Sequence, residues 1–174
     1  MNDIADHIVS LSQELGARLQ AQHLTIATAE SCTAGGIAYA ITQTPGSSQW
    51  FDRSFITYSN TSKQQMLGVS TAYLRDFGAV SEPVARAMAL GALTQSQAQI
   101  TVAVTGVAGP GGGTPDKPVG MVCFAWAIKR DPASAPWVRT ATRQFNGDRA
   151  SVRTQAIVEA LDGLIGLLKQ RQDV

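Results

Sequence analysis

The segment Ile100-Thr-Val-Ala-Val-Thr105 is apolar or β-branched at every position and runs straight into the glycine-rich stretch Gly106 to Asp116. A strand with no wet face belongs inside a sheet that is covered on both sides. The rest of the chain offers the cover. Ile4, Ile8, Leu11, Leu15 and Leu19 recur at steps of three and four between Asp3 and Gln20, laying an apolar stripe on one helical face. Ser81-Glu82-Pro83 opens a second helix running from Val84 to Ala98, and Val152, Ala156, Leu161, Ile165 and Leu168 mark a long helix closing the chain from Arg149. Shorter helices are expected over Ala34–Gln43, from Asn60 to Gly68 and over Thr71–Phe77. Strands are expected over Leu24–Ala29, Trp50–Tyr58, Val119–Ile128 and Trp137–Phe145, the last two joined as an antiparallel pair through the Lys129–Pro136 loop. Helices alternating with about five strands predict an α/β fold, a three-layer α/β/α sandwich with a mixed, mainly parallel sheet. At 174 residues the chain forms one domain, 1–174.

Composition narrows the function classes. Apolar residues make up 44% of the chain and charged residues 16%, which excludes a disordered chain, and no apolar run approaches the roughly 20 residues a membrane span needs. A formal net charge of +1 supplies no field that would recruit nucleic acid or an anionic membrane. Cys32 and Cys123 have no Cys or His neighbours at ligand spacing, so neither a metal site nor a disulfide framework is indicated. The first residues lack the basic flank and apolar core of a signal peptide, and a reducing cytoplasm is the expected location.

In α/β sheets, ligands bind beyond the carboxyl ends of strands, which singles out Glu30–Gly36, Ser59–Lys63 and Gly106–Asp116. Ser31 stands at a strand-to-helix turn, where it reads either as a helix cap or as a nucleophile beside backbone N–H groups able to hold an oxyanion. The two histidines, His7 and His23, both sit near the first helix, which disfavours a Ser-His-Asp triad. A lysine made neutral by its surroundings is the known substitute base, and Lys63 after the second strand is the candidate; its bland reading is a solvated surface lysine. Tyr58 could relay a proton, stack on an aromatic ring, or simply pack at the strand end. The glycine stretch matches neither phosphate-loop nor dinucleotide spacing, and it reads equally as an anion cradle or a flexible loop. Arg149 could clamp a phosphate. Cys32 is a rival nucleophile or a small buried side chain.

Taken in order, Ala29-Glu-Ser-Cys-Thr-Ala-Gly-Gly36, Pro45-Gly-Ser-Ser48, Thr57-Tyr-Ser-Asn60 with Lys63, Gly78-Ala-Val-Ser-Glu-Pro83, Gly106 to Gly113 and Lys117-Pro-Val-Gly120 resemble the CinA C-terminal domain family over about residues 5 to 168. The resemblance implies that family's three-layer fold and, from its stand-alone bacterial members, hydrolysis of nicotinamide mononucleotide to nicotinic acid mononucleotide and ammonia without metal or cofactor. It implies Ser31 as nucleophile, Lys63 as general base and Tyr58 as an assisting group. Cys32 and Thr33 would offer backbone N–H groups, Ser48 and Thr105 would contact substrate, Gly106, Gly109, Gly111 and Gly112 would shape its loop, and Arg149 would meet the phosphate. It also implies a homodimer or higher homo-oligomer. The other reading that the family's naming carries is a non-catalytic binding or regulatory module connected with competence or DNA damage. Ala34 departs from the usual Glu-Ser-Cys-Thr-Gly-Gly pattern, and an altered turn is expected there.

Overall fold

The computed structural model of the chain describes residues 3–172. In chain order its elements are α1 (Asp3–Ala21), β1 (Ile26–Glu30), α2 (Gly36–Thr42), a 3-10 turn (Ser47–Gln49), β2 (Phe51–Ile56), α3 (Asn60–Leu67), α4 (Thr71–Phe77), α5 (Glu82–Thr94), β3 (Ile100–Gly106), β4 (Met121–Ile128), β5 (Trp137–Gln144) and α6 (Arg149–Gln172). Local chemistry sets several starts. The hydroxyls of Ser59, Ser70 and Ser81 cap α3, α4 and α5 by accepting from the N–H groups of Ser62, Tyr73 and Val84. Helix α2 begins two residues later than the sequence predicts, because Ala34 (φ 49°) and Gly35 (φ 91°) both hold left-handed backbone that no helix can include.

The five strands form one sheet in the order β2-β1-β3-β4-β5. β1 pairs in parallel with β2 and β3, while β4 pairs antiparallel with β3 and β5. Only β4 therefore runs against the others, and the mixed, mainly parallel sandwich expected from sequence is the fold observed. Four C-terminal strand ends consequently share one edge of the sheet.

Strand residues divide by size between the two faces, as the pleat requires. Ile26, Val102, Val104, Phe124 and Trp126 pack under α1, α2 and α6 with Leu15, Leu19, Ile37, Ile41 and Leu164. On the opposite face Ala27, Ala29, Ala103, Ala125 and Ala127 meet Val84, Met88 and Ala92 of α5, so that helix lies close against small side chains. Trp126 keys the first layer: its indole N–H donates to the Ala160 carbonyl at 3.0 Å, and a Cβ added at Gly163 would lie 2.2 Å from the ring. Truncating Trp126 to alanine would cost about 3–5 kcal/mol in a core of this kind. Among the described residues, no helix is long and apolar enough to cross a membrane.

Candidate active site

Because β1, β2, β3 and β5 end on one edge, the segments that follow them converge there. A cleft of about 290 Å³ opens between Ser31 and Cys32 after β1, Tyr58, Asn60 and Lys63 after β2, Thr105 to Gly112 after β3, and Arg149 at the start of α6. Ala79 and Val80, in the link from α4 to α5, complete its wall.

The turn carrying Ser31 is organised by its neighbour. Glu30, fully buried at the end of β1, points its carboxylate beneath the start of α2. Oε2 accepts from the Thr33 hydroxyl at 2.7 Å and from the N–H groups of Gly35 and Ile37 at 3.0 Å, and Oε1 accepts from Ala38 N–H at 2.9 Å. The hydroxyls of Thr28 and Ser54 lie 3.2 and 3.3 Å from Oε1. The N-cap of α2 is Gly35, which has no side chain, so a carboxylate from the preceding strand satisfies the helix's first amides. Ser31 N–H donates to the Val104 carbonyl, tying the turn to β3. The turn's hydrogen bonds use the N–H groups of Ser31, Ala34, Gly35, Gly36, Ile37 and Ala38, and leave those of Cys32 and Thr33 outside them.

Lys63 comes from α3, whose start is fixed by a reciprocal Ser59–Ser62 capping box. Its side chain is 1% exposed, and Nζ donates to Ser31 Oγ at 2.9 Å and to the Thr57 carbonyl at 2.6 Å. Among the described residues, no carboxylate lines the cleft to pair with it. Burial pushes its pKa below the ordinary lysine value. A neutral amine can keep one N–H on Thr57 and turn its lone pair to the Ser31 hydroxyl, which is the arrangement a general base needs. Burial pushes the thiol of Cys32, next to Ser31, up to about 12, which keeps it in its unreactive protonated form.

Tyr58 is 60% exposed, and its hydroxyl accepts from Arg149 Nη2 at 2.8 Å. Arg149 Nη1 donates to the Gly109 carbonyl at the same distance. The guanidinium thus spans the cleft mouth from the aromatic wall to the glycine loop, and all four expected glycines, Gly106, Gly109, Gly111 and Gly112, line the opposite side.

Of the expected substrate contacts, Ser48 lies outside the cleft, and the hydroxyls of Thr33 and Thr105 are already engaged. Ser48 lies in the turn before β2, at the edge of the sheet where β1 starts, because Ile26 pairs with Phe51 there. The five residues of β1 separate that edge from Ser31 by roughly 16 Å, so Ser48 is withdrawn from the site. Thr33 has its side chain buried against Glu30 and can offer only backbone. Thr105 lines the floor, but its hydroxyl is committed to the Ala79 carbonyl at 2.8 Å. Asn60, Val107 and Ala108 join the lining from the segments expected after β2 and β3, whereas the sequence reading does not single out Ala79 and Val80 or the supporting role of Glu30. Arg153 was missed too; one turn beyond Arg149, it donates to the Thr33 carbonyl at 3.0 Å. A charged residue closing an otherwise apolar strand was the available signal for Glu30.

Comparison with known proteins gives a consistent family. The family model described as the CinA C-terminal domain matches residues 8–168. The chain is 48% identical over 162 residues to the nicotinamide-nucleotide amidohydrolase PncC of Pseudomonas putida, covering 93% of this chain and 98% of that protein. With the nicotinamide-nucleotide amidohydrolase PncC of Escherichia coli (strain K12) the identity is 47% over 157 residues, covering 90% and 92% respectively. Among solved structures, the competence/damage inducible protein CihA from Agrobacterium tumefaciens superposes with a TM-score of 0.85 at 42% identity, covering 92% of this chain and 94% of that one.

Proposed function

This chain belongs to the CinA C-terminal domain family, and from that premise we propose that it is a nicotinamide-nucleotide amidohydrolase in which Ser31 attacks the carboxamide with Lys63 as base. Nicotinamide mononucleotide and water would yield nicotinic acid mononucleotide and ammonia. The observation that carries this reading is the 2.9 Å approach of a buried lysine amine to a serine hydroxyl, in a cleft lined by no carboxylate among the described residues. A solvated surface lysine would make neither contact.

In the first half-reaction neutral Lys63 takes the Ser31 proton as Oγ bonds to the carboxamide carbon, and the Cys32 and Thr33 N–H groups receive the oxyanion. Lys63 returns that proton to the departing nitrogen, which leaves as ammonia. A water then attacks the acyl ester, gives its proton to Lys63, and the proton passes back to Ser31 Oγ. Tyr58 offers its ring face to the pyridinium, and Arg149 trades its bond to the tyrosine hydroxyl for the 5′-phosphate. The thiols of Cys32 and Cys123 are free and buried, which fits work in a reducing cytoplasm.

The test is ammonia release by the purified chain from nicotinamide mononucleotide, with nicotinamide, nicotinamide riboside and NAD alongside. Release from the mononucleotide well above the phosphate-free compounds, with KM raised about tenfold or more in Arg149→Ala and kcat little changed, is the expected result. Equal rates with and without the phosphate would remove the mononucleotide from the proposal, and no release from any of them would remove the reaction.

A further inference from the structure

Resting on the amidohydrolase reading above, we infer that the cleft selects a carboxamide carried on a cationic ring, because the ring's own positive charge keeps Lys63 unprotonated in the complex. The charged and titratable groups facing Lys63 are few. Cys32 comes from the turn after β1, Tyr58 from the segment after β2 and Arg149 from α6; the Ala79–Val80 wall and the Thr105–Gly112 loop bring none. The carboxylate of Glu30, next to Ser31 in sequence, is turned beneath α2 with its oxygens already accepting from backbone and hydroxyl donors. Among the described residues, a cation that enters this cleft therefore meets the Lys63 amine and the Arg149 guanidinium and no carboxylate.

The chemistry of the substrate places its charge close to the base. The ring nitrogen of a nicotinamide nucleotide is meta to the carbon bearing the carboxamide. With the carboxamide carbon at an attack distance of about 3–3.5 Å from Ser31 Oγ, and Lys63 Nζ 2.9 Å beyond, that nitrogen comes on the order of 6–8 Å from Nζ. Two unit charges so placed in a partly buried site disfavour protonation of the lysine by roughly one to two pH units. Arg149, between the Tyr58 hydroxyl and the Gly109 carbonyl, would hold the anionic phosphate, so the repulsion at the ring end expels a proton from Lys63 rather than the ligand. A neutral ring of the same shape would bind through the same phosphate and leave the lysine protonated and unable to act as base.

The test compares nicotinamide mononucleotide with its isostere in which carbon replaces the ring nitrogen, keeping carboxamide, ribose and phosphate. Ser31→Ala, which cannot turn either over, is titrated calorimetrically with each in buffers of different ionisation enthalpy, across the pH range where wild-type kcat rises. The expected result is about half a proton more released per site by the pyridinium nucleotide, with its wild-type kcat limb one to two pH units below that of the isostere wherever the isostere reacts. Equal proton release by the two ligands would overturn the inference and leave the amidohydrolase reading standing. Wild-type protein that liberates no ammonia from the mononucleotide would instead overturn the reading beneath it.

Discussion

Glu30 and Ser31 are consecutive residues whose side chains leave the end of β1 for opposite sides. The Glu30 carboxylate is fully buried beneath the start of α2, while Ser31 Oγ faces the cleft and the Lys63 amine at 2.9 Å. The alternation of a strand thus serves two purposes at one step of chain: an inward carboxylate fixes the turn, and the fixed turn aims an outward hydroxyl.

Glu30→Gln tests that coupling. It replaces one carboxylate oxygen with an NH₂ group among N–H and hydroxyl donors, and leaves some of those donors without an acceptor. Denaturant unfolding should read a loss of about 2–4 kcal/mol. Protein folded at low temperature should show kcat reduced at least tenfold, with KM changed much less, since the proposed substrate contacts Tyr58 and Arg149 lie on other segments.

Lys63→Met keeps the length of the buried stem and removes the proposed base. Turnover should fall about 10³-fold or more, and the rise of activity with pH that marks neutralisation of the amine should vanish. Stability carries a sign of its own. The folded pKa of Lys63 lies below the unfolded value, so between the two the unfolded chain binds more protons and wild-type stability climbs as pH rises. Below the folded pKa the full cost of burying an ammonium is present. The stability of Lys63→Met relative to wild type should therefore be greatest at low pH and shrink toward the ordinary lysine value, as thermal unfolding across pH would read. Lys63→Arg should not rescue activity, because a guanidinium stays charged.

Ala34→Gly addresses the departure in the turn that carries Ser31. Ala34 is exposed and holds φ at 49°, a conformation that costs a β-carbon roughly 1 kcal/mol and glycine almost nothing. The substitution should raise stability by about 1 kcal/mol in denaturant unfolding and leave kcat close to wild type, since the Ser31 and Glu30 contacts do not pass through the Ala34 side chain.

Much of this was legible in the residues. The buried run of β3, the Ser81-Glu82-Pro83 start of α5 and the periodic stripes of α1 and α6 carry local signals strong enough to fix the sandwich. Ser31 and Lys63 were singled out by position after strands and by family resemblance, yet their meeting across 32 residues is a tertiary fact. It depends on β1 and β2 lying side by side in parallel, which no local pattern states. Ser48 shows the converse. It sits in a motif as recognisable as the one holding Ser31, but before its strand rather than after, and strand direction sends it to the other edge. Glu30 was hidden because a charged residue at a strand end reads as solvated until the amides of α2 are seen folded over it.

The most direct measurement is ammonia release at saturating nicotinamide mononucleotide by the wild-type chain and Ser31→Ala, each checked for fold by circular dichroism. The account expects steady release by the wild type and a loss of about 10³-fold or more in a variant whose thermal midpoint stays close to wild type. A folded Ser31→Ala that releases ammonia at a near wild-type rate would contradict it, and the paired hydroxyl and amine would then have to be given a structural role.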